Sequence, residues 1–222
     1  MRVRVGAQWI QVSGEKALEA LKSNVAFGKV DVALNDTTID QPVLLRAAQR
    51  LLKVTGENVL PMPQNISRAV QDFFPRFQRD FASLASELTR FRLPGTDRAE
   101  RLLKQLAQVF QGDASDTPAV LGAEECDVIE NLLWARDARK ALDQKFGDDA
   151  LKAHGYLDEI PKLPKVGAAD ALIGASETVR TELAGFLERE AFFEVATDVR
   201  SRLSTLDNLV QNAAASLTTE IA

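Results

Sequence analysis

A helical pattern without a single proline occupies residues 168–222, AADALIGASETVRTELAGFLEREAFFEVATDVRSRLSTLDNLVQNAAASLTTEIA. Apolar side chains recur along it at helical spacing. They are Leu172, Val179, Leu183, Phe186, Phe193, Ala196, Leu203, Leu206, Val210 and Leu217. The spacing predicts one long coiled-coil-like helix, or two helices stacked end to end, up to about 80 Å in length if unbroken. We expect a kink near Glu190, where a charge falls in an apolar position.

Residues 64–112 also show helical patterns, separated by prolines and glycines. Residues 65–74 form one predicted helix. After Pro75, apolar side chains follow the alternating four- and three-residue spacing of a coiled-coil seam. This seam consists of Phe77, Phe81, Leu84, Leu88 and Phe91. Pro94 and Gly95 end that helix, and Thr96 caps the next one, which is predicted to run to Gly112.

The pattern continues to residue 167 with shorter segments. Residues 113–122 are predicted as a polar loop. A helix then carries Val128, Leu132 and Phe146 and ends at Gly147. A short helix is expected at 149–160, and Pro161 to Pro164 forms a stiff connector.

The N-terminal 60 residues differ because strand patterns appear there. Residues 2–5 and 9–12 alternate with period two, which predicts a β-hairpin, and 29–34 returns to this pattern. Between them, Ser13 begins a predicted helix to about residue 23. Together these elements suggest a small cap of ββαβ type, followed by a helix at 42–54.

Pro61 and Pro63 interrupt the chain after this cap, so we place a domain boundary there. The prediction is a cap domain with a trailing helix at 1–60 and an antiparallel helical bundle at 64–222. The expected fold class is mainly α with a small α+β N-terminal part, and the bundle ends in the long coiled-coil-like helix.

Charge is distributed unevenly along the chain. Residues 1–63 carry a net charge of +2, residues 64–104 carry +3, and residues 105–222 carry −10. Because Lys and Arg supply most non-specific affinity for a polyanion, we expect any nucleic-acid contact to lie within residues 1–104. The basic cluster comprises Arg68, Arg76, Arg79, Arg90, Arg92, Arg98, Arg101 and Lys104.

Three interpretations of this cluster remain open. Acidic residues such as Asp72, Asp80 and Glu87 lie between the basic ones, which favours a solvated surface with salt bridges. The alternatives are contact with the phosphate backbone of duplex DNA and docking to an acidic protein partner.

The familiar motifs of nucleotide and metal sites are missing from the sequence. It contains no phosphate-binding P-loop and no dinucleotide glycine fingerprint. The single Cys126 and single His154 cannot form a zinc site. The acidic run from Asp113 to Asp127 lacks EF-hand spacing. We therefore expect no metal, no cofactor and no catalytic residue in this chain.

Weaker chemical candidates also have simpler interpretations. Cys126 and His154 could in principle act as nucleophile and base, but an isolated His before a glycine is typical of a helix end or a surface. The paired carboxylates at 148–149 and 158–159 are explained as polar helix ends. Phe73, Phe74, Phe77 and Phe81 could stack on bases, although their spacing is typical of a buried stripe.

The chain shows no sign of a membrane or secretory segment. The N-terminus lacks the apolar run of a signal peptide, and no stretch has the roughly 18 apolar residues that a membrane span requires. One lone cysteine is typical of a reducing compartment. We expect a cytoplasmic protein that does not enter a bilayer.

Four short segments carry a resemblance to a known family. They are DRAERLL at 97–103, GDASD at 112–116, LGAEEC at 121–126 and LWAR at 133–136. In these segments the sequence resembles the C-terminal portion of the large P-loop ATPases of bacteriophage-exclusion (BREX) defence systems. The similarity extends over roughly residues 1–210 and is strongest between 60 and 145.

This resemblance implies a parent protein of well over a thousand residues with its nucleotide site upstream of the residues present here. It assigns no active-site residue to any position of this chain. The sequence also begins inside a strand pattern and ends inside a helical one, which suggests a piece of a longer protein.

Two functions follow as hypotheses. The first is a non-catalytic assembly module that contacts other protein subunits or the rest of its parent chain. The second is a module that contacts duplex DNA through residues 1–104. A free-standing hydrolase that uses Cys126 or His154 is a minor third.

Overall fold

The computed structural model describes residues 2–5, 8–11, 32–34, 39–111 and 117–221. Three short strands form an antiparallel sheet in the order β2-β1-β3, in which β1 is Arg2–Val5, β2 is Gln8–Gln11 and β3 is Val32–Leu34. Arg2 pairs with Gln11 on one side and with Leu34 on the other. The predicted hairpin is therefore present, and of the returning strand predicted at 29–34 the described part, Val32–Leu34, is a strand. The helix predicted at 13–23 lies outside the described residues.

The rest of the described chain is helical, which confirms the mainly α fold class. The α-helices are α1 (Gln41–Thr55), α2 (Pro63–Asp80), α3 (Leu84–Arg90), α4 (Thr96–Gln111), α5 (Thr117–Gly122), α6 (Asp127–Asp143), α7 (Phe146–Glu159), α8 (Gly167–Leu187) and α9 (Ala196–Ile221). Short 3-10 helices at Ile160–Lys162 and Phe192–Val195 precede α8 and α9. Within the described residues, no helix combines the length and apolar character needed to cross a membrane.

One hydrophobic core joins these helices. Helix α1 contributes Leu44 and Leu51 to it, α2 contributes Ile66 and Phe74, and α6 contributes Leu132, all nearly inaccessible to solvent. Leu44 and Leu51 are seven residues apart and Ile66 and Phe74 are eight apart, about two helical turns, so each pair lies on one helix face, through which the helices pack. The domain boundary at 60–64 stays a prediction, although α1 shares its core with the helices that follow the boundary.

The seam predicted after Pro75 is not one continuous helix. Helix α2 runs through Pro75 to Asp80, a turn follows at 81–83, and α3 is a separate short helix. The Phe81 N–H bonds the Phe77 carbonyl at 2.9 Å, and the Leu84 N–H bonds the Phe81 carbonyl at 3.0 Å. Phe81, Leu84 and Leu88 are nevertheless buried. The spacing therefore identified buried residues, whereas the coiled-coil interpretation was wrong.

Two further boundaries differ from the prediction. The helix expected to reach Gly147 ends at Asp143, because Lys145 adopts a left-handed conformation with φ of 66°. Phe146 starts α7 instead, and its fully buried ring stacks on Phe192 at a centroid distance of 5.4 Å. The stacking partner lies far along the chain, so local periodicity could not place this break.

The predicted polar loop at 113–122 contains α5, and α1 holds that helix in place. Arg46 Nε donates to the Gly122 carbonyl at 2.9 Å. Arg50 donates to the carbonyls of Leu121, Ala123 and Glu124. Since the last carbonyls of a helix lack partners within it, these two arginines stabilise an otherwise marginal six-residue helix.

Helices α8 and α9 lie side by side as an antiparallel hairpin, so the predicted end-to-end arrangement was wrong. The break itself falls at 188–191, as expected near Glu190. Phe192 and Val195 are buried immediately after it, which brings the chain back towards the core. Arg202 of α9 pairs with Glu182 of α8 at 2.6 Å. The long C-terminal helix has 26 residues and a length of about 39 Å.

Candidate interaction surfaces

The eight basic residues predicted as a contact surface have two kinds of surroundings. Arg68, Arg79, Arg101 and Lys104 are exposed and form no ion pair within the described part of the chain. Arg76 and Arg90 lie over the rings of Phe73 and Phe91, at 5.6 and 5.2 Å from the ring centres. These six guanidinium or ammonium groups remain accessible to an external anion.

The other two are held by contacts within the chain. Arg98 Nε donates to Asn131 Oδ1 at 2.8 Å, and its guanidinium lies 5.0 Å from the Trp134 ring centre and 3.3 Å from Glu190. Arg92 pairs with Asp158 at 2.6 Å. Arg98 therefore links α4 to α6 and to the turn before α9, while Arg92 links the α3–α4 connection to α7.

A groove of about 780 Å³ lies between the end of α2 and helix α6. From α2 and the turn after it come Phe77, Arg79, Asp80 and Phe81. From α6 and its end come Arg136, Arg139, Lys140, Asp143 and Gln144. The groove therefore combines Arg79, from the net-positive segment 64–104, with three basic residues from the net-negative segment 105–222.

Arg139 is anchored at the edge of this groove. It pairs with Glu87 at 2.6 Å and with Asp143 at 3.1 Å. Burial by itself would raise the pKa of Glu87, but hydrogen bonds from Ser83 and Arg139 outweigh burial, so the pKa lies below its ordinary value. Glu87 is thus a carboxylate near neutral pH, and this network joins α3 to α6.

A second cavity, of about 500 Å³, contains the single histidine. It is lined by Arg92, His154, Asp158 and Glu188, together with apolar side chains. A nitrogen of His154 lies 3.1 Å from the Arg92 carbonyl oxygen. Burial lowers the pKa of His154, so its ring is largely neutral at pH 7. Its neighbours Arg92 and Asp158 are already paired with each other.

The structure gives Cys126 and His154 different neighbours. Cys126 is buried where α6 begins, and burial raises the pKa of its thiol, which disfavours the thiolate. His154 lies on α7 against Arg92. No contact joins the two side chains in the described structure, so the nucleophile–base pair gains no support from it.

Three of the four carboxylates considered from the sequence, Asp149, Asp158 and Glu159, form ion pairs. Asp149 pairs with Arg200 at 2.7 Å, Asp158 pairs with Arg92, and Glu159 pairs with Lys162 at 2.8 Å. Asp113 and Asp116 lie outside the described residues. Among the residues that are described, no cluster of three or more His, Cys, Asp or Glu side chains is arranged to hold a metal ion.

The open end of the α8–α9 hairpin forms an apolar groove of about 420 Å³. Its walls are mostly small side chains, contributed by Gly167, Ala168, Ala171, Leu172 and Ala175 of α8 and by Leu209, Asn212, Ala213 and Ser216 of α9. Val166 and Leu217, adjacent in sequence to this lining, are 67% and 41% exposed. We call this region the hairpin end.

Sequence reasoning found some of these features and missed others. It singled out Arg79 and Phe77, and the structure places both at the α2–α6 groove. It missed Arg136 and Lys140, because their segment carries a net negative charge. It also missed the hairpin end, because small residues such as Ala171 and Ala213 give little signal unless the facing helix is known.

Comparisons with known proteins give no match: no protein-family model, no curated protein and no solved structure is significantly similar to this chain. The resemblance to the phage-defence ATPases stays a prediction, and the geometry of the described residues is the basis for a functional proposal.

Proposed function

We propose that this chain is a non-catalytic assembly module that binds another protein surface through the hairpin end. The observation that carries the proposal is the apolar groove between α8 and α9, flanked by the exposed side chains of Val166 and Leu217. An apolar surface rimmed by polar residues is typical of a protein-binding site. Complete burial of a fully exposed side chain of this size contributes about 1.5–3 kcal/mol, and a partner that covers these partly exposed side chains gains a fraction of that.

The shape of α9 supports the same proposal. Leu206 is the last fully buried residue in the helix, and between 207 and 218 every described side chain is at least partly exposed. The helix nevertheless continues to Ile221, about 22 Å beyond Leu206. Leu209, Val210 and Ala213 still pack partly against the core, and the exposed side of this stretch offers a face to a second helix.

Substitution of the groove lining tests the proposal. Ala171→Glu combined with Ala213→Glu places two charges in the groove and should abolish association. Thr178→Glu combined with Ser204→Glu is the matched control, because both residues are exposed positions on the same two helices. Self-association is measured by sedimentation equilibrium over a range of concentrations.

A partner other than a second copy is tested by a photo-crosslinking residue at position 217, with position 178 as the control. The proposal predicts one reproducible protein adduct at 217 that disappears in the Ala171→Glu, Ala213→Glu variant. The absence of both self-association and a site-specific adduct would contradict it.

The cellular setting we propose is a large ATPase of a bacterial phage-defence system, in the cytoplasm, with ATP hydrolysed outside this chain. The resemblance at 97–103, 121–126 and 133–136 supports this setting. The coding sequence that flanks Met1 and Ala222 tests it. A Walker motif upstream in the same reading frame is expected, and an intergenic boundary on both sides would contradict it.

Contact with the phosphate backbone of duplex DNA is the second candidate. It is favoured by the exposure of Arg68, Arg101 and Lys104, which have no ion-pair partner among the described residues. Binding of a duplex should weaken with added salt, and Arg68→Glu, Arg101→Glu, Lys104→Glu should reduce the slope of log K against log salt. No binding at low salt would eliminate this candidate.

A further inference from the structure

The α2–α6 groove contains more positive charge than its own partners neutralise. Arg139 is balanced by Glu87 and Asp143, with which it forms short contacts. The remaining charged residues of the lining are Arg79, Arg136 and Lys140 against the single Asp80. Arg136 donates to the Lys53 carbonyl at 3.1 Å, which leaves its charge unneutralised, and touches Asp137 at 3.5 Å in an exposed pair that contributes little. With both carboxylates of Arg139 counted, the groove has an excess of about one positive charge, and that charge lies on the Arg79, Arg136 and Lys140 side.

Aromatic side chains line the same groove. Phe77 is partly buried and stacks nearly parallel on Phe81, with a centroid distance of 6.0 Å and an interplanar angle of 11°. Phe81 itself is only 5% exposed, so its position is fixed by the core. Phe77 is thus held in one orientation and gives the basic groove an apolar, aromatic wall.

We propose that the α2–α6 groove binds a short stretch of single-stranded nucleic acid. In this arrangement Arg79, Arg136 and Lys140 contact phosphates while an unpaired base packs against Phe77. A positively charged groove combined with an aromatic stacking surface is the usual design for single strands, because every base has a π-face. The inference does not depend on the hairpin end, which belongs to other helices.

The geometry favours a single strand over the other polyanions. In a duplex the bases are stacked inside, so a base could not reach an aromatic side chain within a groove, and only phosphates would make contact. A peptide of acidic residues alone could satisfy the basic residues but has no aromatic ring to stack on Phe77, whereas every nucleotide carries one.

Fluorescence anisotropy with a labelled oligothymidylate of about 12 nucleotides tests the inference, using the whole chain. Neutralisation of about three phosphates predicts a slope of log K against log salt near −2 for a single strand. Arg79→Glu combined with Lys140→Glu should weaken binding at low salt at least tenfold and reduce the slope to about −0.7, because only Arg136 is left to contact a phosphate. Lys162→Glu combined with Lys165→Glu is the control of equal charge change, placed in the exposed connector before α8.

Phe77→Leu isolates the stacking contribution, since leucine retains an apolar side chain against the core. We expect a loss of about fivefold or more for the single strand and no change in the salt slope. Circular dichroism and thermal unfolding confirm that each variant is folded.

Three outcomes would overturn the inference. One is a loss of oligonucleotide affinity in the Lys162→Glu, Lys165→Glu control as large as that in the Arg79→Glu, Lys140→Glu variant. Another is a preference for duplex DNA with no effect of Phe77→Leu, which would point instead to the surface of Arg68, Arg101 and Lys104. The third is binding of a polyglutamate peptide but not of the oligonucleotide, which would make the groove a protein-binding site.

Discussion

Helix α6 and the hairpin end show opposite packing within one bundle. In α6, buried side chains occur on nearly every turn, including Ile129, Leu132, Trp134 and Ala138. At the hairpin end, small side chains leave an open groove and no described residue of α9 after Leu206 is fully buried. Helices of the same kind are therefore tightly packed in one region and leave an open groove in another, depending on which side chains face them.

The difference indicates where substitutions affect stability and where they affect binding. Around α6 the side chains are close-packed, so loss or gain of a single methyl group changes the free energy of unfolding. At the hairpin end the groove is already open to water, so a substitution there removes little packing. We expect partner binding, rather than stability, to respond to changes at the hairpin end.

The largest expected effect is that of Phe192→Ala, near the packed centre. Phe192 is fully buried and stacks on Phe146 of α7, so the substitution leaves a cavity where the chain turns into α9. We expect a loss of about 3–5 kcal/mol in the free energy of unfolding, measured by urea denaturation. An unchanged denaturation midpoint would show that this turn is not part of the core.

A pair of glycine substitutions tests the comparison more sharply. At Gly122 a Cβ would lie 2.2 Å from the Val43 carbonyl oxygen, so Gly122→Ala must push α5 away from α1 and should destabilise by about 2–3 kcal/mol. At Gly185 nothing lies within 4 Å of the added atom. Gly185→Ala should therefore stabilise by about 0.5–1 kcal/mol through higher helix propensity. Similar changes in the free energy of unfolding for Gly122→Ala and Gly185→Ala would contradict this contrast between a tight contact and an open position.

The contact between Tyr156 of α7 and Asp207 of α9 marks the border between the two regions. Burial, together with the adjacent Asp207 carboxylate, raises the pKa of Tyr156 to about 12. The folded chain thus holds a proton that the unfolded chain loses near pH 10. The stability this pair contributes is complete below pH 10 and is lost as the pH rises towards 12.

The pKa of Asp207 is shifted in the opposite direction. Hydrogen bonds from Lys152 and Tyr156 lower its pKa below the ordinary 3.8, so its contribution is present above that pH and lost in more acidic solution. Tyr156 is the single tyrosine of the chain, so its ultraviolet titration can be followed directly. Asp207→Asn should return the transition towards pH 10. If Tyr156 of the unsubstituted chain titrated near pH 10, the contact with Asp207 would be excluded.

The smallest expected effect is that of Leu217→Ser at the hairpin end. Leu217 is 41% exposed, so we expect a change in the free energy of unfolding below about 0.5 kcal/mol. The same substitution at Leu203, which is 4% exposed on the same helix, is the matched control and should destabilise by several-fold more. Equal effects at the two positions would mean that the hairpin end is packed as tightly as the core.

Several features of the fold were readable in the residues themselves. The helix predicted at 42–54 is observed at Gln41–Thr55, and the helix predicted from Thr96 begins there. The interruptions at Pro94 and near Glu190 also lie where expected. These are properties of short segments, because they depend on φ restriction, turn residues and the alternation of apolar and polar side chains.

The grooves were less accessible to sequence reasoning. Arg79 is 57 residues before Arg136, and the two line one groove only because α2 and α6 flank the same space. Charge summed along the chain assigned Arg136 and Lys140 to an acidic segment. The sum along a segment does not report which side chains share a surface once helices pack.

By itself, the sequence determined most of the helical segments and many of the buried apolar side chains, since both follow from periodicity within a few turns. The tertiary structure alone decided that α8 and α9 reverse into a hairpin, that Phe81 lies in a turn, and that α5 forms on Arg46 and Arg50. Each of these depends on partners distant along the chain, such as Phe146 stacked on Phe192. The free energy of these long-range contacts is gained only when the whole bundle assembles.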